Sequence, residues 1–150
     1  MSIQYRTVAR ADHPMLLDFM RQLYEEDPAE RPVPEEHFRR TLLELEQHPE
    51  RGTILVMEKD RQIVGYAVLI NFWSNECGGN VLTIDELFVA KPRRGQGLGA
   101  DFVQHVITTK MNDFVALRLE VTPANSRARR LYERLGFSSY KNETLQLRLP

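Results

Sequence analysis

The sequence is poor in the features that mark several large protein classes. It has one cysteine, Cys77, which excludes an intramolecular disulfide framework and favours a reducing compartment, so we expect a cytoplasmic protein. No apolar run approaches the ~20 residues that span a bilayer, and the first residues lack the apolar core of a signal peptide. The 150 residues carry a formal net charge of −1, which gives no reason to expect binding to nucleic acid or a membrane. We therefore expect a single domain over residues 1–150.

Patterns that hold metals or activated nucleophiles are absent as well. The four histidines are dispersed and form neither a metal-ligand spacing nor a catalytic triad. No Gly-Lys-Ser/Thr sequence follows the glycines, which excludes a Walker-type phosphate loop. The sequence thus predicts no metal site.

Hydrophobic periodicity predicts a mixed α/β (α+β) domain in the order β-α-α-β-β-β-α-β-α-β. Strands are predicted over residues 3–8, 53–59, 62–73, 81–90, 115–121 and 144–150. Helices are predicted after Asp12, up to His48, from the glycine-rich turn to near Asn112, and after Asn125.

The turn Arg94-Gly95-Gln96-Gly97-Leu98-Gly99 joins a predicted strand to a predicted helix. Glycines there let the backbone approach a ligand closely, and the first N–H groups of the helix point outward without partners. The helix dipole and the neighbouring cations Lys91, Arg93 and Arg94 favour an anion such as a pyrophosphate. The alternative is a turn whose glycines only permit tight packing.

The same glycines also fit a dinucleotide fingerprint. Gly95, Gly97 and Ala100 match G-x-G-x-x-G/A, and Glu120 lies near the distance expected for a ribose-binding acid. Against this alternative, residues 91–94 separate the strand from the first glycine, and antiparallel hairpin strands precede the turn. The chain is also too short for two mononucleotide-binding halves. The dinucleotide interpretation is the minor one.

Two motifs resemble the GNAT superfamily of acetyl-CoA-dependent N-acetyltransferases. The family signature Gln/Arg-x-x-Gly-x-Gly/Ala is matched by Arg94, Gly97 and Gly99. A second family segment is matched, at the family's spacing, by Asn125, Ala128, Tyr132, Gly136 and Phe137. The resemblance implies a central, mostly antiparallel mixed sheet with splayed fourth and fifth strands and helices on both faces.

The resemblance also implies the cosubstrate, acetyl-CoA, and the residues that bind it. Backbone groups around Phe88 and Val89 would bind the pantetheine arm like an added strand. Asn125 would contact the pantetheine region. The pyrophosphate would be held by backbone amides of Arg94, Gly95, Gln96, Gly97, Leu98 and Gly99.

A primary amine has a pKa of ~10.4 and must lose a proton before it attacks a thioester, so a carboxylate or a carboxylate-held water is required. Asp85 and Glu86 lie in the strand before the glycine turn, and the family usually has a bulge there. By resemblance, Asp85 is the general base and Glu86 binds the acceptor. We expect one of the two, Glu86 rather than Asp85, to be a structural carboxylate with partners. Tyr132 resembles the family's general acid, with hydrogen-bond stabilisation of the leaving thiolate as its role and a core aromatic as the alternative.

The expected reaction is direct attack of a primary amine on acetyl-CoA in a ternary complex. An acidic run between residues 25 and 36 suggests a cationic acceptor such as a polyamine, an aminoglycoside or a protein amine, although solvated helix ends explain it equally well. A non-catalytic acyl-CoA-binding module remains an alternative. Because relatives are often dimers, the resemblance leaves a homodimer open.

Overall fold

A computed structural model describes residues 2–140 and 142–150. The chain separates into two compact units, of which the first ends at Glu120 and the second is Val121–Pro150. No helix in this described part combines the length and apolarity needed to cross a lipid bilayer.

The first unit contains a five-stranded sheet with three α-helices. Its elements are β1 (Gln4–Thr7), α1 (His13–Glu26), α2 (Glu35–Gln47), β2 (Gly52–Lys59), β3 (Gln62–Ser74), β4 (Gly79–Val89), α3 (Leu98–Thr109) and β5 (Ala116–Leu119). The strands lie in the order β1-β2-β3-β4-β5; the first four are antiparallel neighbours and β5 is parallel to β4. The predicted mixed, mostly antiparallel sheet is confirmed, and it is not the doubly wound parallel sheet that binds dinucleotides.

Helices cover both faces of this sheet. Alternation along β2 sends Val56 to one face, where it packs with buried residues of α1 and α2, and Met57 to the other. Tyr5 of β1 lies opposite Met57, and its ring contacts the ring of Phe102 in α3 at 5.6 Å. α3 therefore covers the Met57 face, as the resemblance implied.

β4 and β5 pair over a short stretch only. Val81 to Ile84 of β4 lie opposite Ala116 to Leu119, after which β5 ends while β4 continues to Val89. Within the described part of the chain, the β5-side edge of residues 85–89 therefore has no partner strand. This early parting is the splay predicted for the fourth and fifth strands.

In the second unit, the described residues form the helix α4 (Ser126–Arg134). The Asn125 side chain caps it by accepting a hydrogen bond from the Ala128 N–H at 3.2 Å, and Gly136 follows it with φ of 102°, as the sequence predicted. The predicted last strand, 144–150, is wrong. Residues 142–150 form no strand, and the leucines at 145, 147 and 149 are more than four-fifths exposed, so their alternation buries no face.

Candidate active site

A β-bulge places the two predicted acids. Val68 of β3 lies opposite Glu86, while Leu69 lies opposite Ile84, so Asp85 is an extra residue without a partner in β3. A bulge breaks the strict alternation of side chains, which would otherwise send adjacent acids to opposite faces. It also falls where β5 ends, so Asp85 is the first residue of β4 beyond the paired stretch.

Glu86 is held by two tyrosines. The Tyr24 hydroxyl of α1 donates to Glu86 Oε2 at 2.6 Å, and the fully buried Tyr66 hydroxyl of β3 donates to Oε1 at 2.8 Å. Burial raises the pKa of Glu86, the two hydroxyl donors act against that rise, and the charge of Asp85 adds to it. Glu86 is thus the partnered carboxylate of the pair, fixed in orientation on the face covered by α1.

Asp85 has a different environment. Its side chain is exposed to solvent, yet the surrounding protein displaces enough water to raise its pKa, and the like charge of Glu120 acts in the same direction. The geometry explains the influence of Glu120, because Ile84 lies opposite Leu119 and the two acids come next where the strands part. The charge of Asp85 also raises the pKa values of Tyr24 and Tyr66.

The two acids of β4 have no cationic partner within the described residues of the first unit. No lysine, arginine or histidine there forms an ion pair with Asp85 or Glu86. Like charges held close together are stabilised by an added cation, and each raises the proton affinity of its neighbours. The arrangement favours a cationic ligand and a proton acceptor of raised pKa.

The glycine turn has an open anion-binding geometry. Gly95 and Gly97 have φ of 80° and 77°, a left-handed conformation that residues with a Cβ rarely adopt. Gly97 precedes α3, and its carbonyl accepts the Asp101 N–H at 2.9 Å. The described part of the chain offers no backbone acceptor to the amides of Leu98, Gly99 and Ala100, which lie at the positive end of the helix dipole.

Tight packing does not account for the glycines of this turn. A Cβ built on Gly95, Gly97 or Gly99 meets no atom within 4 Å. Left-handed backbone explains the first two, but Gly99 has neither a positive φ nor a close neighbour. The space beside Gly99 is open to a ligand.

The cations of the turn are bound to protein groups. Arg94 donates from Nη2 to both carboxylate oxygens of Glu26, at 2.8 and 3.1 Å, and from Nε to the Val89 carbonyl at 2.8 Å. Lys91 Nζ lies 3.7 Å from Glu26, and Arg93 makes a 3.5 Å hydrogen bond to Gln62. The side chain of Arg94 is therefore engaged within the first unit.

The strand register decides which backbone groups of β4 are available. The Ala90 N–H donates to the Val64 carbonyl, and Phe88 lies opposite Tyr66, so the polar backbone groups of Phe88 face β3. Those of Leu87 and Val89 face the open edge. The backbone of Phe88 is therefore not available for the binding expected of it, and Leu87 is the residue whose backbone faces the open edge instead. The backbone of Val89 faces the open edge, as its expected role requires.

Asn125 and Tyr132 lie in the second unit and are described within it. The Asn125 side-chain oxygen caps α4. The half-buried Tyr132 ring contacts Phe137 edge-on at 5.8 Å, and burial raises the pKa of its hydroxyl.

Sequence reasoning missed four features of the first unit. It did not predict the hydrogen bonds of Tyr24 and Tyr66 to Glu86 or the effect of the Glu120 charge on Asp85. It also missed the ion pair of Glu26 with Arg94 and the open-edge position of the Leu87 backbone. The signal for Glu120 was its place in the predicted fifth strand, which the family resemblance sets beside the fourth strand with its two acids. The other three depend on tertiary contacts or register and had no local signal.

Comparisons with known proteins bear on this site. Residues 17–137 match the "Acetyltransferase (GNAT) family". N-alpha-acetyltransferase 40 of Saccharomyces cerevisiae is 40% identical over 65 residues, which cover 38% of this chain and 23% of that protein. The chain thus matches less than a quarter of that relative's length.

Solved structures share the fold. A possible acetyltransferase from Clostridium difficile 630 superposes with a TM-score of 0.83 and 19% identity, covering 100% of this chain and 99% of that one. The aminoglycoside N-acetyltransferase AAC(6')-Iy, solved in complex with CoA, superposes with a TM-score of 0.78 and 15% identity, covering 98% and 95%. The glycine turn before α3 and the parting of β4 from β5 are features of this chain. Because the family model matches most of its length, this chain belongs to the acetyltransferase (GNAT) family.

Proposed function

We propose that the protein is an N-acetyltransferase that moves an acetyl group from acetyl-CoA to a cationic primary amine in a ternary complex. The observation that carries the proposal is the layout of β4. This strand has a bulged acid, Asp85, at the point of the splay, an unpaired edge from there to Val89, and an anion-binding turn beyond it. This layout would order the base, the thioester arm and the phosphates along one strand and the turn that follows it.

The cosubstrate would be bound mainly by main-chain groups. Amides from Arg94 to Gly99 would hold the pyrophosphate at the start of α3. The backbone groups of Leu87 and the N–H of Val89 would pair with the pantetheine arm, while the Val89 carbonyl is held by Arg94. Asn125 would contact the pantetheine region, as the family resemblance implies. The complex of AAC(6')-Iy with CoA supports an acyl-CoA donor for this fold.

The chemistry requires an acid–base sequence at the amine. Asp85 would accept a proton from the bound ammonium, and the free amine would then attack the thioester carbonyl. A backbone N–H of β4 would stabilise the tetrahedral oxyanion. Attack forms the carbon–nitrogen bond, and collapse of the intermediate re-forms the carbonyl and breaks the carbon–sulfur bond. The second proton of the nitrogen would pass to the departing thiolate, which Tyr132 would stabilise by a hydrogen bond, as the family resemblance implies. Glu86, held by its two tyrosines, would orient the ammonium.

A cationic acceptor is supported by Asp85 and Glu86, which have no ion pair among the described residues, and by the charge of Glu120 beside Asp85. The relatives suggest two kinds of amine. One is named an N-alpha-acetyltransferase and the other an aminoglycoside N-acetyltransferase, so a protein amino terminus and a small polycationic metabolite are the acceptors to assay first.

Ligand-dependent stability and turnover test the proposal together. Acetyl-CoA is expected to raise the melting temperature, since a ligand that binds only the native state stabilises it, whereas NADH at the same concentration is not. Purified protein is then expected to release free CoA with at least one member of a panel of polyamines, aminoglycosides and peptides. Stabilisation by acetyl-CoA without turnover on any amine would favour a non-catalytic acyl-CoA-binding module. Selective stabilisation by NADH would refute the proposal.

The pH profile of the Glu120→Gln variant tests the role of Asp85. A base works when ionised, so the acid limb of kcat/KM for the amine should report the raised pKa of Asp85. Removing the charge of Glu120 lowers that pKa, so the acid limb should move to lower pH. The nearby titrating residues Glu86, Tyr24 and Tyr66 are not substituted, and the charge of Glu120 is not among the causes of their pKa shifts. Asp60→Asn, an exposed acid in the β2–β3 turn, is the control and should leave the limb in place. An acid limb that stays fixed or moves to higher pH in Glu120→Gln would contradict the assignment.

A further inference from the structure

The last turn of α1 contacts both halves of the candidate site. Tyr24 donates to Glu86, beside the bulge, and two residues later Glu26 binds Arg94 and Lys91 of the glycine turn. The acidic run that suggested a cationic acceptor thus includes one member, Glu26, whose contacts are with the cosubstrate turn. This contact lies outside the family signature on which the expected cosubstrate residues rest.

Arg94 has three contacts that together fix its position. Its Nη2 binds both oxygens of Glu26, its Nε donates to the Val89 carbonyl, and its guanidinium carbon lies 5.3 Å from the centre of the Phe88 ring. Phe88 is only 2% exposed and belongs to the core, so the guanidinium rests on a fixed surface. A carboxylate completes this geometry because it accepts strong, charge-assisted hydrogen bonds.

We propose that Glu26 is a positioning residue for the cosubstrate. It holds the side chain of Arg94 in place, and Arg94 in turn links the glycine turn to the Val89 carbonyl at the open edge of β4. The inference rests on the proposed function and adds to it a residue from α1. In this arrangement Arg94 serves the pyrophosphate site by fixing the backbone of the turn, and its side chain is not itself a phosphate ligand.

Two opposing effects must be weighed when Glu26 loses its charge. Removing a negative charge near an anion site strengthens the long-range attraction for acetyl-CoA, but exposed charges are strongly screened at physiological salt. Releasing Arg94 leaves its side chain and the turn to be ordered when acetyl-CoA binds, and that ordering lowers the affinity severalfold. The ordering cost wins, so the proposal predicts weaker binding.

Glu25→Gln is the matched control for Glu26→Gln. Glu25 is the preceding residue of α1, is exposed, and has no ion pair among the described residues. Both changes remove one negative charge from the same helical turn, but only Glu26→Gln removes the contact with Arg94. The dissociation constant of acetyl-CoA, measured by calorimetry, is expected to be about three- to tenfold higher for Glu26→Gln. For Glu25→Gln it should be equal to or lower than that of the unmodified protein.

A kinetic measurement separates positioning from general damage. The KM for acetyl-CoA should rise by the same factor in Glu26→Gln while kcat changes by less than about twofold, because Asp85 and the acceptor groups are untouched. Circular dichroism and the melting temperature confirm that each variant is folded. A fall in kcat with an unchanged KM, or equal dissociation constants for the Glu26 and Glu25 variants, would overturn the inference.

A double-mutant cycle tests whether Glu26 acts through Arg94. Arg94→Lys keeps the positive charge but loses the Nε bond to Val89 and the fork geometry. If Arg94 acts only by positioning the backbone of the glycine turn, the double variant Glu26→Gln/Arg94→Lys should bind acetyl-CoA no more weakly than Arg94→Lys alone. Additive losses would mean that Arg94 contacts the phosphates directly and would overturn the inference. If the unmodified protein fails to bind acetyl-CoA, the proposed function fails instead, so the two failures are distinguishable.

Discussion

Replacing Asp85 with asparagine is expected to lower kcat by about 100- to 10,000-fold, the range that a positioned general base contributes. Asparagine keeps the shape of the side chain but cannot accept the ammonium proton. The Asp85 side chain is exposed and forms no hydrogen bond within the described residues, so the variant should fold normally. Initial rates with saturating acetyl-CoA and amine measure the effect, and calorimetry should give an unchanged dissociation constant for acetyl-CoA.

Asp60→Asn is the control for this experiment as well, since it removes an exposed carboxylate without entering the site, and it should retain full kcat. A kcat within tenfold of the unmodified value in Asp85→Asn would contradict the assignment. The proton would then pass to Glu86, Glu120 or a water that they hold, and the corresponding glutamine variants would identify which.

Replacing Gly99 with alanine is expected to change stability and cosubstrate binding in opposite directions. A Cβ at this position meets no protein atom within 4 Å, and alanine is favoured over glycine in a helix by about 1 kcal/mol. The melting temperature should therefore stay the same or rise. The methyl group would occupy the space where the pyrophosphate approaches the amides, so the dissociation constant of acetyl-CoA should rise about tenfold or more, ~1.4 kcal/mol for each factor of ten.

Gln104→Ala, at an exposed position of the same helix, controls for changes in helix stability and should leave acetyl-CoA binding unchanged. Opposite movements of the two measurements would distinguish a ligand role for Gly99 from a packing role. Loss of both stability and binding would indicate that the glycine is needed by the fold, and unchanged binding would place the phosphates elsewhere.

Local signals predicted most of the fold because each element carries its own pattern. The β2–β3 hairpin, the glycine turn before α3, the cap at Asn125 and Gly136 after α4 all depend on nearby residues, and the structure contains each of them. The last predicted strand had the right alternation, but a strand requires a partner, and alternation alone does not supply one.

The candidate site was harder to predict because it depends on register. The bulge at Asp85 was expected from the family resemblance, yet the choice of Leu87 over Phe88 follows only from the pairing of Phe88 with Tyr66. The contacts of Glu86 with Tyr24 and of Glu26 with Arg94 span 62 and 68 residues, so no window of sequence contains both partners. Single residues were predictable by type, and their partners were not.

The brief pairing of β4 with β5 has a consequence for how such an enzyme diversifies. If the pantetheine arm binds as an extra strand, as we propose, it is recognised through peptide groups, which every residue possesses. Substitutions at Leu87 or Val89 would then leave donor recognition largely intact. The carboxylates where the two strands separate would act through their side chains, so a substitution of any one of them would change how the acceptor is bound. On the proposed function, the acceptor could therefore change on this scaffold while the donor stays the same.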